Sequence, residues 1–166
     1  EQKTIQRKLE ILVREIQEKN EVLNFISESD ALTGCMNRRG FIEKTLQMNR
    51  DHEGEELLIL FADLDHLKEI NDSFGHIEGD FSIRHCAEVL KKVVGADGIV
   101  GRIGGDEFCV VTLGNLKDGQ QIIERIREES DAFNCTSDKE YYVELSAGCT
   151  SVICRNGLVI ADALRE

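Results

Sequence analysis

LLILFADLD, residues 57–65, decides the fold. Six apolar residues, Leu57 to Ala62, run unbroken up to Asp63, too short a run for a long helix. The run also lacks the alternation of a strand with one wet face, so it reads as a central strand buried on both sides and ending at Asp63. Such a strand needs covering helices, and the flanking sequence supplies them. Residues 38–49 read as a helix, tied to the strand by the acidic loop from Asp51 to Glu56. Downstream come a short helical turn at Leu67 to Asn71 and a longer helix from Glu78 to Val94, with Ile83, Cys86, Ala87, Leu90 and Val94 on one face.

GIVGRIGGDEFCVVTL, residues 98–113, reads as two strands joined by a tight hairpin at Gly104 and Gly105. A helix from Asp118 to about Phe133, a strand in YYVELSAGCTSV (141–152) and a last helix beginning near Leu158 complete the pattern. From residue 57 the order is β α α β β α β. It predicts an α/β (α+β) sandwich, a mixed sheet with covering helices, related to ferredoxin-like topologies.

Working outward toward the start, residues 1–28 place Ile5, Leu9, Leu12, Ile16, Leu23 and Ile26 in steps of 4, 3, 4, 7 and 3, with Lys19 in the skipped position. This is a heptad seam, and a helix with one narrow apolar stripe needs a partner. A second copy in a parallel coiled coil satisfies it; packing back on its own domain is the other solution. Ser27-Glu28-Ser29-Asp30 breaks the pattern, so the predicted division is an N-terminal signalling helix at 1–29 and a second domain at 30–166.

The 166 residues suffice for one domain with its own core plus an appended helix. Thirty-two acidic and twenty basic residues leave a net charge of −12, which repels a bare nucleic-acid backbone or an anionic membrane. Neither is an expected partner, and any phosphate bound here needs a cation. No apolar stretch approaches the roughly 20 residues that cross a bilayer. The six cysteines, at 35, 86, 109, 135, 149 and 154, contain no C-x-x-C pair, which argues against a zinc site or disulfide framework and for small buried hydrophobes. With no signal peptide, a cytoplasmic location is expected, as the cytoplasmic part of a larger sensor where one exists; a chain starting at Glu1 is expected to be cut from something longer.

Asp63 and Asp65 stand where the buried strand emerges, and Asp106 and Glu107 on the tip of a hairpin that can lie beside it. Carboxylates gathered from neighbouring strand ends suit a hard divalent cation, which takes oxygen ligands and accepts substrate phosphates as the remainder. The same residues also suit plain solvation of strand ends.

Three strings separate these readings. RIGGDEF (102–108), DALTGCMNRRGF (30–41) and DLDHLKEINDSFGHIEGD (63–80) resemble, in order and spacing, the signature motifs of the GGDEF family of diguanylate cyclases. The resemblance covers roughly residues 30–155. It implies a fold like the catalytic palm of nucleotidyl cyclases and polymerases, and condensation of two GTP into cyclic di-GMP with release of pyrophosphate. It further implies Mg²⁺, with Mn²⁺ as an alternative, held by Asp63, Asp106 and the carbonyl oxygen of Leu64. Asp106 is then also the proton acceptor for the attacking hydroxyl, Glu107 a second ligand or electrostatic support, and Lys68 a stabiliser of charge on phosphate. Asn71, His76 and Asp80 match substrate-contacting positions; an amide and a carboxylate together suit guanine, whose N1–H and N2–H₂ donate to the carboxylate. Gly104 and Gly105 permit positive φ and close approach of the ligand. Asp65 is left structural.

The resemblance implies a homodimer, through the N-terminal helix and through facing active sites that each hold one GTP. A second possibility is a degenerate member that binds nucleotide and regulates without significant turnover. Two departures bear on the choice. The chain ends in VIADALRE (159–166), without the basic residues of the family's terminal helix, which is expected to be missing. The family's inhibitory R-x-x-D product site falls on Gly95-Ala96-Asp97-Gly98, where neither charged residue stands.

Overall fold

The computed structural model describes residues 2–156, without the side chains of residues 2–4 and 24–26. Its elements are α1 (Gln2–Glu28), β1 (Met36–Asn37), α2 (Arg38–Asp51), β2 (Glu56–Leu64), α3 (Leu67–Phe74), α4 (His76–Val94), β3 (Ile99–Arg102), β4 (Glu107–Leu113), α5 (Leu116–Thr136) and β5 (Leu145–Ile153). The five strands form one mixed sheet in the order β1-β3-β4-β2-β5. β2 lies antiparallel to both β4 and β5, β3 and β4 form a hairpin, and β1 joins β3 in parallel. From β2 onward this is the expected β α α β β α β sandwich.

Residues 57–65 show why the run is continuous. Leu58, Leu60, Ala62 and Leu64 point to one face, where Ile83, Cys86, Ala87, Leu90 and Val93 of α4 and Ile126 of α5 cover them. Leu57, Ile59 and Phe61 point to the other, against Phe41, Leu46 and Met48 of α2. Period-two alternation is present, but both faces are dry. Each buried leucine contributes roughly 1.5–3 kcal/mol, so this strand anchors the domain.

The structure corrects several boundaries. α3 is a helix of eight residues rather than a single turn, and α4 begins at His76, two residues before Glu78. Tyr141 to Glu144 do not belong to β5: pairing starts at Leu64↔Leu145, so it runs out where β2 ends, and the preceding residues serve side-chain contacts instead. β1, two residues long, has no sequence pattern of its own and is created by its partner. The helix expected near Leu158 and the side chain of Ile26 lie outside the described residues.

α1 does not fold back. Ile5, Leu9, Leu12, Ile16 and Leu23 are 67%, 62%, 53%, 58% and 62% exposed, so the apolar seam is uncovered in a single chain. At its end, Asn37 Nδ2 donates to the carbonyl oxygens of Ser27 and Ser29 at 2.8 and 3.3 Å, and its Oδ1 caps α2 by accepting from the Gly40 amide at 2.9 Å. Among the described residues no helix is long and apolar enough to cross a membrane.

Candidate active site

β2 and β4 bring the acidic residues together. Asp63 stands opposite Glu107 in the ladder, and the Leu64 amide donates to the Asp106 carbonyl oxygen at 3.0 Å, closing the sheet just beyond that pair. Partial burial, then the negative charges of Asp106, Glu107 and Asp65, push the Asp63 carboxyl above the ordinary carboxylate range. Like charges gathered around Asp63 favour binding a cation there. Among the described residues no three of these side chains are gathered closely enough to form a preformed metal site.

Asp65 is engaged elsewhere: Ser146 Oγ donates to both its oxygens at 2.8 and 2.9 Å, and its amide donates to the Glu144 carbonyl oxygen at 3.0 Å. That tie holds the exit of β2 against β5. Next, His66 adopts φ 58°, the one positive φ outside glycine among the described residues, and turns the chain abruptly into α3. Lys68, on the first turn of α3, is exposed and has no ion-pair partner among the described residues.

Helix caps divide by location. α2 and α5 carry side-chain caps, Asn37 on one and an Asn115–Asp118 capping box on the other. α3 and α4 begin without one, after His66 and Gly75. Their first amides are left for water or for an anionic ligand. The sequence reading missed this; a histidine and a glycine where Ser, Thr, Asp or Asn would cap a helix were the available signal.

Asn71 and Asp80 come from α3 and α4 on either side of Gly75. Asn71 is half-buried, with Oδ1 only 2.0 Å from where a Cβ on Gly79 would stand, so Gly79 leaves the room that the Asn71 side chain occupies. Asp80 and His76 are exposed. Asn71 lies in the middle of α3 and Asp80 near the start of α4, whereas the carboxylates come from the end of β2 and the β3–β4 hairpin.

The hairpin corrects one expectation. Neither Gly104 nor Gly105 has a positive φ. A Cβ on Gly104 would lie 2.3 Å from Oε2 of the exposed Glu107, so a side chain there would turn that carboxylate away from its present position. Gly105 has open space on that side, and its carbonyl oxygen accepts from Arg102 Nε and Nη2 at 3.1 and 2.7 Å. From the sequence, Arg102 is expected only as a weak phosphate contact; the structure makes it the brace of the loop bearing Asp106.

The profile of one family, described as "Diguanylate cyclase, GGDEF domain", matches residues 27–166. The chain belongs to the GGDEF family. A relative named diguanylate cyclase DgcP, from Escherichia coli K12, is 37% identical over 147 residues, covering 86% of this chain and 43% of that protein. The GGDEF chain thus spans less than half of that relative. A segment of cyclic di-GMP phosphodiesterase NbdA from Pseudomonas aeruginosa is also 37% identical, over 60% of this chain and 13% of that one. Among solved structures, diguanylate cyclase SiaD of P. aeruginosa, in complex with its activator SiaC, superposes with a TM-score of 0.76 at 25% identity, covering 98% of this chain and 64% of that chain. The coiled coil and GGDEF domain of DgcB from Caulobacter crescentus, in complex with c-di-GMP, gives 0.77 at 24%, over 87% and 80%, a likeness of fold.

Proposed function

We propose that this GGDEF chain is the catalytic part of a diguanylate cyclase that condenses two GTP into cyclic di-GMP, with residues 1–29 as a signalling helix and 30–166 as the catalytic domain. The observation that carries the reading is the convergence of Asp63, Asp106 and Glu107 at one end of β2 and β4, beside the uncapped start of α3. In each step the 3′-oxygen of one GTP forms a bond to the α-phosphorus of the other. The bond from that phosphorus to the bridging oxygen of pyrophosphate breaks, and Asp106 takes the proton of the attacking hydroxyl.

Asp63, the Leu64 carbonyl oxygen, Asp106 and Glu107 are the donors suited to Mg²⁺ or Mn²⁺. When bound, such an ion neutralises phosphate charge and acidifies the neighbouring hydroxyl. Lys68 offsets charge on the leaving phosphates, the uncapped amides at the start of α3 are further donors for them, and Gly104 leaves room for the Glu107 carboxylate over the hairpin. Asn71 and Asp80 read the guanine edge, with His76 beside them. One chain holds one GTP, so both bonds form only when two sites face each other, and the open α1 seam supports a parallel dimer.

The match to a stretch of a protein named as a phosphodiesterase favours a second reading, a nucleotide-binding regulatory module without turnover. Incubation with GTP and Mg²⁺ followed by chromatography separates the two. Cyclic di-GMP and pyrophosphate in a 1:2 ratio establish the enzyme; GTP binding without product establishes the module, and neither outcome removes both.

A further inference from the structure

We propose that Lys139 and Tyr141, in the connection before β5, are positioning residues for the purine base, acting through Glu78 and Phe74 on the two helices that carry Asn71 and Asp80. The proposal rests on the assignment of those two residues to the base.

The joint between α3 and α4 is a weak point. Gly75 turns it at φ 88°, α4 starts without a side-chain cap, and Gly79 closes its first turn. Glycine at both ends gives the turn more conformational freedom than other residues would allow. Yet the direction of Asp80 relative to Asn71 depends on that turn, and the Asn71 side chain lies directly against Gly79. A base read by both residues needs the joint held still before it arrives.

Tyr141 and Lys139 hold it from outside. The Tyr141 ring packs on Phe74, the last residue of α3, with centroids 5.0 Å apart, while its hydroxyl donates to Glu78 Oε2 on α4. Tyr141 therefore spans Gly75. Lys139 Nζ donates to the same Glu78 oxygen at 2.6 Å and lies 4.3 Å from the centroid of the Phe81 ring, one turn further along α4. Both side chains are mostly buried or half-buried, where a charge-assisted bond is stronger than on an open surface.

The clamp has a rigid base. Asn134 near the end of α5 bonds Val143 twice, donating to its carbonyl oxygen at 3.1 Å and accepting from its amide at 2.9 Å. The Ser137 amide donates to the Phe133 carbonyl oxygen at 2.8 Å, and the Lys139 amide to Ser137 Oγ at 3.2 Å. Residues 137–143 are thus fixed at both ends by α5. Nothing in this arrangement touches the carboxylates at the sheet end, so its effect falls on base recognition rather than on phosphate chemistry.

The test uses the chain as it stands and the double variant Lys139→Met with Tyr141→Phe, which keeps both apolar bodies and removes the charge and the hydroxyl. Affinities for GTP and ATP are measured by calorimetry, and amide hydrogen exchange is followed at residues 76–80 in the free protein. The expected result is a loss of GTP affinity of about tenfold with ATP binding unchanged. Exchange at 76–80 accelerates while exchange in β2 does not. A parent that prefers GTP and a variant that keeps the same GTP-to-ATP ratio overturn the proposal. A parent with no preference overturns the base assignment and the proposal with it, and the exchange data still show whether the joint loosened. If the double variant fails to fold, Tyr141→Phe alone must lower the ratio about threefold, or the proposal falls.

Discussion

Arg102 ties Asp30 to the hairpin: its Nη1 donates to the two Asp30 oxygens at 3.2 and 3.3 Å while Nε and Nη2 hold the Gly105 carbonyl oxygen. Asp30 follows the end of α1 by two residues and also accepts from the Thr33 amide and hydroxyl at 2.9 and 2.7 Å. The end of the N-terminal helix and the loop bearing Asp106 therefore share one guanidinium.

Arg102→Met is expected to reduce turnover tenfold or more and stability by about 1–3 kcal/mol, because Asp30 and Gly105 lose their common donor. Asp30→Asn gives a pH signature. Burial pushes the Asp30 carboxyl up, but the Thr33 bonds and Arg102 outweigh it and leave the pKa below the ordinary value of 3.8. A depressed folded pKa means its stabilisation is complete above the unfolded value and is lost as pH falls through the folded one. Thermal melts between pH 7 and 3 should show the gap between parent and Asp30→Asn narrowing below about pH 4; a constant gap contradicts this account.

Asp63 has the opposite sign. Its folded pKa is raised, so the charged form costs stability above the carboxylate range, and the cost is relieved on acidification. Asp63→Asn is expected to melt at or above the parent's temperature at pH 7 while turnover falls at least about a hundredfold. A variant that loses turnover only because it unfolds would show a lowered melting temperature instead.

The α1 seam predicts a concentration-dependent dimer. Lys19→Leu fills the skipped core position and should tighten association, whereas Leu12→Asp should abolish it. Sedimentation equilibrium decides: equal monomer masses for the parent and both variants at high concentration would exclude the parallel coiled coil.

Gly95 and Gly98 predict weak binding of cyclic di-GMP away from the GTP site. Gly95 ends α4 at φ 78°, and a Cβ on Gly98 would lie 1.8 Å from Val94 Cγ1, so both positions are shaped for glycine. Gly95→Arg with Gly98→Asp should restore little product affinity and should lower the melting temperature, through strain at one position and a clash at the other. Low-micromolar binding by the parent with the GTP site blocked would refute this reading.

Much of this was legible in the chain. The unbroken run 57–62 declared a central strand because it is too short for a long helix and a strand apolar at every position must be covered on both faces. The glycine pair between two strands declared a hairpin, and the motif spacing placed Asp63 near Asp106. The heptad seam of α1 was legible because a helix repeats its faces locally. These are properties of neighbouring residues, set by backbone period and burial.

Other features needed the fold. Lys139 and Glu78 are 61 residues apart, and Arg102 and Asp30 are 72 apart; each carries a side chain that is ordinary in its own segment. The two-residue β1 exists only because β3 lies beside it. Asp65, as acidic and as close to the strand end as Asp63, is drawn aside by Ser146, a choice made by the β2–β5 register. The sequence alone determined which residues are apolar, which are charged and how they repeat along the backbone. Only the tertiary structure decided which charges meet, because pairing between distant residues depends on strand register and helix position, and those are set by the core as a whole.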